Sequence, residues 1–146
     1  MMLLTGWNIG ASLSDLLDEY KDFHPELVKF MHLATDLKLW RLLYRSPNPT
    51  WFNGRTCLVG DACHPMLPHQ GQGGAQAIED GGALGALFTN LSSSAPGEIE
   101  ERLQMYQDIR SRRAAAIQIF SNAGQEEGHK IKAEAEKYVQ GPIPSK

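Results

Sequence analysis

The feature that most constrains this chain is where its glycines fall. Of 14 glycines in 146 residues, seven lie between positions 60 and 85, in the company of Pro65 and Pro68. Glycine weakens helices and strands, so a cluster this dense marks backbone that must turn sharply or pass close to something. Immediately before it, Arg55-Thr56-Cys57-Leu58-Val59 reads as a short strand that ends apolar and is halted by Gly60-Asp61. Beyond Gly73 the pattern turns helical, with Ala77, Leu84, Leu87 and Leu91 on one face and small residues on much of the rest, which would let the helix pack tightly against a neighbour. The predicted centre of the chain is therefore a strand, a proline-stiffened loop, and a Gly-x-Gly-Gly turn that opens a helix.

Around this centre the first third reads as helical. Ser12 or Ser14 can cap a helix carrying Leu13, Leu16, Leu17 and Tyr20, and Pro25 can open a second with Leu27, Val28, Phe30, Met31 and Leu33. Residues 37–45 alternate and are aromatic enough to predict a strand, closed by turn residues Pro47, Asn48, Pro49 and Asn53-Gly54. Residues 92–97 read as a linker. From Glu98 a long helix is predicted, with Ile99, Leu103, Tyr106, Ile117 and Phe120 at heptad-like steps to about Gly124. Three segments result: 1–55, 56–124, and a polar tail over 125–146 expected to hold a weak helix and then fray. No internal repeat is visible.

A chain of this length is the size of one domain, and 42% hydrophobic with 21% charged residues is ordinary for a globular protein. A net charge of -3 exerts no pull on phosphates, so no nucleic-acid partner is expected. Met1 to Leu4 are the only apolar run at the start and no basic residue precedes them, which predicts neither a signal peptide nor a membrane span. Cytoplasm is the expected compartment. Cys57 and Cys63 read as buried thiols rather than a disulfide framework. His64 and His69 lie near Asp61, but no second Cys/His pair offers ligand spacing, so no metal is expected.

The chemistry follows from the loop. A helix N-terminus presents free amide donors and about half a positive charge. Glycines at its mouth would let a flat or phosphorylated ligand approach the backbone. Asp61, at the carboxyl end of a strand, stands where open α/β sheets bind ligands and could accept hydrogen bonds from sugar-like hydroxyls. Spacing alone leaves two readings open, a cofactor cradle and a plain glycine-rich strand-to-helix turn. Glu79 and Asp80 are adjacent on a helix and do not face each other, which favours packing and capping over an acid/base pair. Arg102, Arg110, Arg112 and Arg113 share their helix with Glu98, Glu100, Glu101 and Asp108, which predicts a solvated, ion-paired face.

The order Gly60-Asp61-Ala62-x-His64-Pro65-x-x-Pro68-x-x-Gly71-Gln72-Gly73, followed by Glu79-Asp80, resembles the second flavin motif of the single-component FAD-dependent aromatic-ring monooxygenases, the salicylate hydroxylase-like flavoproteins. Upstream, residues 40–45, Trp51 and Gly54-Arg55 are similar to the strand and turn that lead into that motif. Downstream, Tyr106, Arg110, Arg113 and residues 118–124 are similar to the family's Tyr-x-x-x-Arg-x-x-Arg helix, so most of the chain is covered. The resemblance implies an α/β fold, the carboxy-terminal portion of a Rossmann-like FAD-binding domain of the glutathione-reductase type, with residues 1–55 as a remnant of the substrate-binding region. It implies that Asp61 meets the ribityl hydroxyls of FAD and that Pro68 lies beside the reacting edge of the isoalloxazine ring. Gly60, Gly71, Gln72, Gly73, Gly74 and Ala75 then supply backbone around the ring, where the helix dipole favours negative charge on reduced flavin. In such enzymes NADH or NADPH reduces the flavin, which with oxygen hydroxylates an aromatic substrate, and no protein nucleophile is required. Trp40 and Tyr44 are candidate substrate-pocket residues, or plain core.

Cys63 and Gly81 stand where the family more often has alanine. The larger departure is an absence: no Gly-x-Gly-x-x-Gly follows an amino-terminal strand, and Gly6 and Gly10 have the wrong spacing. The chain is therefore expected to be incomplete as an enzyme and to bind FAD weakly alone. The alternative is a truncated, non-catalytic helical module that binds a protein partner. In either case the helical face left open by the absent portion is a candidate for self-association.

Overall fold

The computed structural model describes residues 9–91, 95–123 and 128–139, in two compact units, Met1–Leu42 and Leu43–Lys146. In the first unit, strand β1 (Ile9–Gly10) pairs antiparallel with β2 (Lys38–Leu39), and two short helices lie between them, α1 (Leu13–Glu19) and α2 (Pro25–Met31). Ser12 caps α1, its hydroxyl accepting the Asp15 N–H at 3.0 Å. Pro25 opens α2 as its first-turn proline, where a missing N–H costs nothing.

The predicted strand over residues 37–45 is cut to its second and third residues. Only Lys38–Leu39 find a partner, and residues 40–48 have no regular structure. Alternation can propose a strand, but a strand needs a neighbour to bond its backbone. Trp40 and Tyr44, 62% and 61% exposed, are neither strand residues nor core.

In the second unit, β3 (Phe52–Asn53) and β4 (Thr56–Cys57) form a hairpin through Gly54, whose φ of +55° is the left-handed conformation glycine tolerates. The predicted strand at 55–59 is thus only two residues of ladder. The chain stays extended at Val59 and enters a 3-10 turn at Gly60–Ala62, then a second at Pro68–Gln70. Helix α3 (Gly73–Phe88) begins as predicted, and Asn90 in the left-handed region follows its end. Helix α4 (Pro96–Asn122) starts two residues before the predicted Glu98, and of the predicted linker residues 92–94 lie outside the described residues. In the predicted tail, α5 (Gly128–Ala135) packs on α4, burying Ile131 and Ala135 against Ile119, while residues 140–146 lie outside the described residues.

The core of this unit is built on α4. Leu103, Tyr106, Arg110 and Ala114 recur every three or four positions and are buried, so they form one stripe. Trp51, Cys63, Tyr106 and Ala114 make the central cluster, flanked by Leu58, Ala83, Leu84 and Leu87. The Trp51 and Tyr106 rings lie 5.5 Å apart, and both polar ends are satisfied: Trp51 Nε1–H donates to the Asn48 carbonyl at 3.0 Å and the Tyr106 hydroxyl to the Leu58 carbonyl at 3.3 Å.

Candidate functional site

All eight of the loop residues expected to meet a cofactor fall on one continuous stretch, the two 3-10 turns and the first turn of α3. Gly60 is buried with φ +58°, and a Cβ there would stand 3.3 Å from the Ala77 Cβ, so the turn closes directly on α3. Asp61 follows it and is exposed. Pro68 opens the second turn, exposed, and Gly71 ends it with φ +62°. Gln72 precedes α3 without a side-chain cap on the first-turn amides, and Gly73, Gly74 and Ala75 form that first turn. A Cβ on Gly73 would stand 3.8 Å from Asp61 Oδ1 and from Met66 Cγ. The structure thus sets the Asp61 carboxylate beside the N-terminus of α3, twelve positions later in the sequence.

Helix α4 fastens this loop from behind. Leu67 N–H donates to Asn122 Oδ1 at 3.0 Å, and Gln70 Nε2 donates to the Phe120 carbonyl at 3.2 Å. Gln118 Nε2 holds the Arg45 carbonyl at 2.9 Å, steadying the segment that leads into the hairpin. Nothing in the residue types of Gln118 or Asn122 marks these roles, since each is an amide on a helix whose partner is some 50 or more positions away.

Beneath the loop lies a buried polar network. Asp80, fully buried, accepts the Gly60 N–H (3.0 Å) and meets His64 Nε2 (2.6 Å) through Oδ2, and it accepts Arg110 Nε (2.9 Å) through Oδ1. Arg110 also donates to Gln76 Oε1 at 2.9 Å and pairs with Glu79, which in turn takes Arg113 Nε at 2.7 Å. Burial would raise the Asp80 carboxyl, but the Gly60 amide, Arg110 and His64 together hold it below the ordinary carboxylate range. Glu79 is held down at about 2, first by the Arg113 hydrogen bond, against the cost of burial and with help from Arg110. The expected packing role for this acidic pair agrees with these partners. The expected solvated arginine face does not hold at Arg110, which is 4% exposed and bonded to α3 rather than to acids on its own helix.

The remaining nucleophile types are quiet. Cys63 is fully buried, and burial, with lesser repulsion from Asp80, pushes its thiol up to about 12. Cys57 is half-buried and raised by the same causes. His64 is buried and hydrogen-bonded, and His69 is exposed. Tyr44 lines a small cavity of about 60 Å³ with Arg45, Pro47, Ile119 and Ile131. Among the described residues no helix is long and apolar enough to cross a membrane.

This arrangement fits a flat ligand that carries hydroxyls and can take negative charge. Asp61 offers an acceptor that makes no bond to the protein among the described residues. The α3 amides offer donors and a positive dipole end. At Gly71 and Gly74 an added Cβ would meet nothing within 4 Å, so the surface is open to an approaching group.

Comparison with known proteins points the same way. Residues 35–121 match the family described as FAD binding domain. FAD-dependent monooxygenase cfoG of Aspergillus candidus is 42% identical over 84% of this chain and 28% of its own length. FAD-dependent monooxygenase phomE of Diaporthe leptostromiformis is 46% identical over 83% and 32%. The 6-hydroxynicotinate 3-monooxygenase of Bordetella bronchiseptica is 35% identical over 80% and 31%. The crystal structure of FqzB superposes with a TM-score of 0.65 at 31% identity, covering 90% of this chain and 34% of that one. The chain spans about a third of the length of the relatives it matches.

Proposed function

The chain belongs to the FAD-binding domain family, the family of the FAD-dependent monooxygenases it matches, and on that premise we propose that it forms the flavin-facing part of an NAD(P)H-dependent monooxygenase that hydroxylates an aromatic substrate. The observation that carries this reading is the exposed Asp61 carboxylate set against the uncapped, glycine-lined start of α3. Asp61 would accept hydrogen bonds from the ribityl hydroxyls. Gly60 gives the turn that presents it, Pro68 would lie against the ring, and Gly71, Gln72, Gly73, Gly74 and Ala75 would supply backbone at the ring's polar edge. Bound there, the flavin would supply the electron transfer from NADH or NADPH and the oxygen chemistry that hydroxylation needs. The rest of the domain would complete a Rossmann-like FAD site. Trp40 and Tyr44, both exposed, would serve as aromatic surface toward the substrate. Relatives named hispidin-3-hydroxylase and 6-hydroxynicotinate 3-monooxygenase support a ring-hydroxylating reaction.

A second reading, a non-catalytic module that binds a protein partner, is favoured by one observation. Helix α3 leaves Ile78 78% exposed, and beside it an added Cβ at Gly74, Gly81, Gly82 or Gly85 would meet nothing within 4 Å. In the first reading this face receives the rest of the FAD-binding domain; in the second it receives another protein or a second copy of the chain.

The test is flavin content and turnover of the whole protein carrying this segment. Bound FAD, and NAD(P)H oxidation coupled to hydroxylated product, are expected, with Asp61→Ala weakening FAD binding on the order of tenfold while leaving the melting temperature of the apoprotein unchanged. A whole protein that neither carries nor takes up FAD would leave the second reading standing.

A further inference from the structure

Asp80 has more partners than the contact between α3 and α4 requires. That contact is already made by Glu79, which takes both Arg110 and Arg113. Asp80 joins it through Arg110 and also reaches across to the loop. Its Oδ2 holds the Gly60 N–H at 3.0 Å and His64 Nε2 at 2.6 Å. Gly60 and His64 are the two ends of one tight turn, closed by the His64 N–H on the Gly60 carbonyl at 2.9 Å. Asp61 lies between these gripped ends and points outward, exposed, toward the start of α3. One carboxylate therefore fixes both flanks of Asp61 without touching it.

The burial supports this. Asp80 and His64 are 0% and 1% exposed, and a buried carboxylate persists only when paired and hydrogen-bonded. Arg110 supplies the charge at 2.9 Å. Because Asp80 is ionised, the proton of the 2.6 Å contact belongs to His64 Nε2, which leaves Nδ1 buried with no hydrogen-bond partner among the described residues, the ring centroid 5.4 Å from that of Trp51. Among the described residues the His64 ring is held by the Asp80 contact and by packing on Trp51.

We propose that Asp80, charge-balanced by Arg110, is a positioning residue for the cofactor: through Gly60 and His64 it sets where the Asp61 carboxylate stands relative to the N-terminus of α3. This rests on the reading of Asp61 as a flavin contact.

The experiment uses the whole protein with FAD and compares Asp80→Asn, His64→Leu, His64→Gln and Glu79→Gln. The readouts are the FAD dissociation constant, the visible spectrum of the bound flavin and the melting temperature of the apoprotein. Asp80→Asn and His64→Leu are expected to weaken FAD binding on the order of tenfold and to alter the flavin spectrum. His64→Gln, which keeps a donor toward Asp80, should recover part of both. Glu79→Gln, which loosens α3 from α4 but does not touch the loop, should lower the melting temperature and leave the FAD constant and spectrum as in wild type. Wild-type affinity and spectrum in Asp80→Asn would overturn the proposal, as would a Glu79→Gln variant that reproduces its effect at equal loss of melting temperature. Should Asp80→Asn not fold, the His64 pair decides: recovery by glutamine supports the proposal, equal loss overturns it. A wild-type protein that binds no FAD would sink the flavin reading and this inference together, whereas FAD binding indifferent to Asp80 sinks the inference alone.

Discussion

In the unit Met1–Leu42 the two helices bury no residue, and Phe23, Leu27, Phe30 and Leu33 are exposed by half or more. In the unit Leu43–Lys146, α4 alone buries nine. Both regions have apolar residues at helical spacing, so periodicity does not separate them. The difference lies in what the apolar stripe can meet. Helices of seven residues are too short to be stable on propensity, and α1 and α2 rely on local devices: the Ser12 cap, the His24 Nδ1 acceptor for the Glu26 N–H, Pro25, and the Tyr20–Phe23 ring contact at 4.9 Å. Helix α4 has a hairpin, a loop and α3 to pack against, and the candidate site sits where those meet.

Removing a large side chain from the second region should give the largest effect. Trp51→Ala should cost about 3–5 kcal/mol of unfolding free energy by chemical denaturation, because Trp51 is 2% exposed at the centre of the cluster. A loss below about 1 kcal/mol would show that this region has no specific core.

An intermediate effect is expected at the rim of the network, and it depends on pH. Glu79 titrates at about 2 in the folded chain against an ordinary 4.5. A carboxyl lowered by folding contributes stability above its unfolded value and loses it as the pH falls through the folded one. Glu79→Gln should therefore be less stable than wild type near neutral pH by at most about 1 kcal/mol, since its pair with Arg113 faces solvent. The two proteins should converge as the pH falls from about 4.5 to about 2. A gap that persisted at the acid end would trace the effect to shape rather than charge.

The smallest effect belongs to the first region. Phe30→Ser should stay within about 0.5 kcal/mol of wild type in the same denaturation, because Phe30 is 73% exposed. A cost comparable to that of Trp51→Ala would erase the contrast between the regions.

The sequence discloses local features and hides distant ones. Ser12, Pro25 and the Gly73 start of α3 could be read because caps, first-turn prolines and glycine turns act within a few residues of themselves. The loop from Gly60 to Ala75 could be found because glycine and proline spacing is written into it. The strand over residues 37–45 failed for the opposite reason: its alternation is local, but its partner, β1, lies almost thirty residues away and offers only two residues of ladder. Arg110 departs from the local pattern for the same reason. Acids on its own helix suggested an ion-paired surface, while its real partners, Asp80, Glu79 and Gln76, lie 30 to 34 positions upstream. The available signal was the Glu79-Asp80 pair on a glycine-rich helix, two adjacent acids with no base at helical spacing.

The reach of Arg110 back to Asp80 has a consequence for how the chain is made. Synthesis runs from the amino end, so the loop and Asp80 are made before the residue that balances Asp80, which is added thirty codons later. Until then Asp80 has only the Gly60 amide and the His64 ring. A stop codon anywhere between the end of α3 and position 110 would yield a product that carries every proposed flavin-contacting residue and still lacks the charge that holds their support in place.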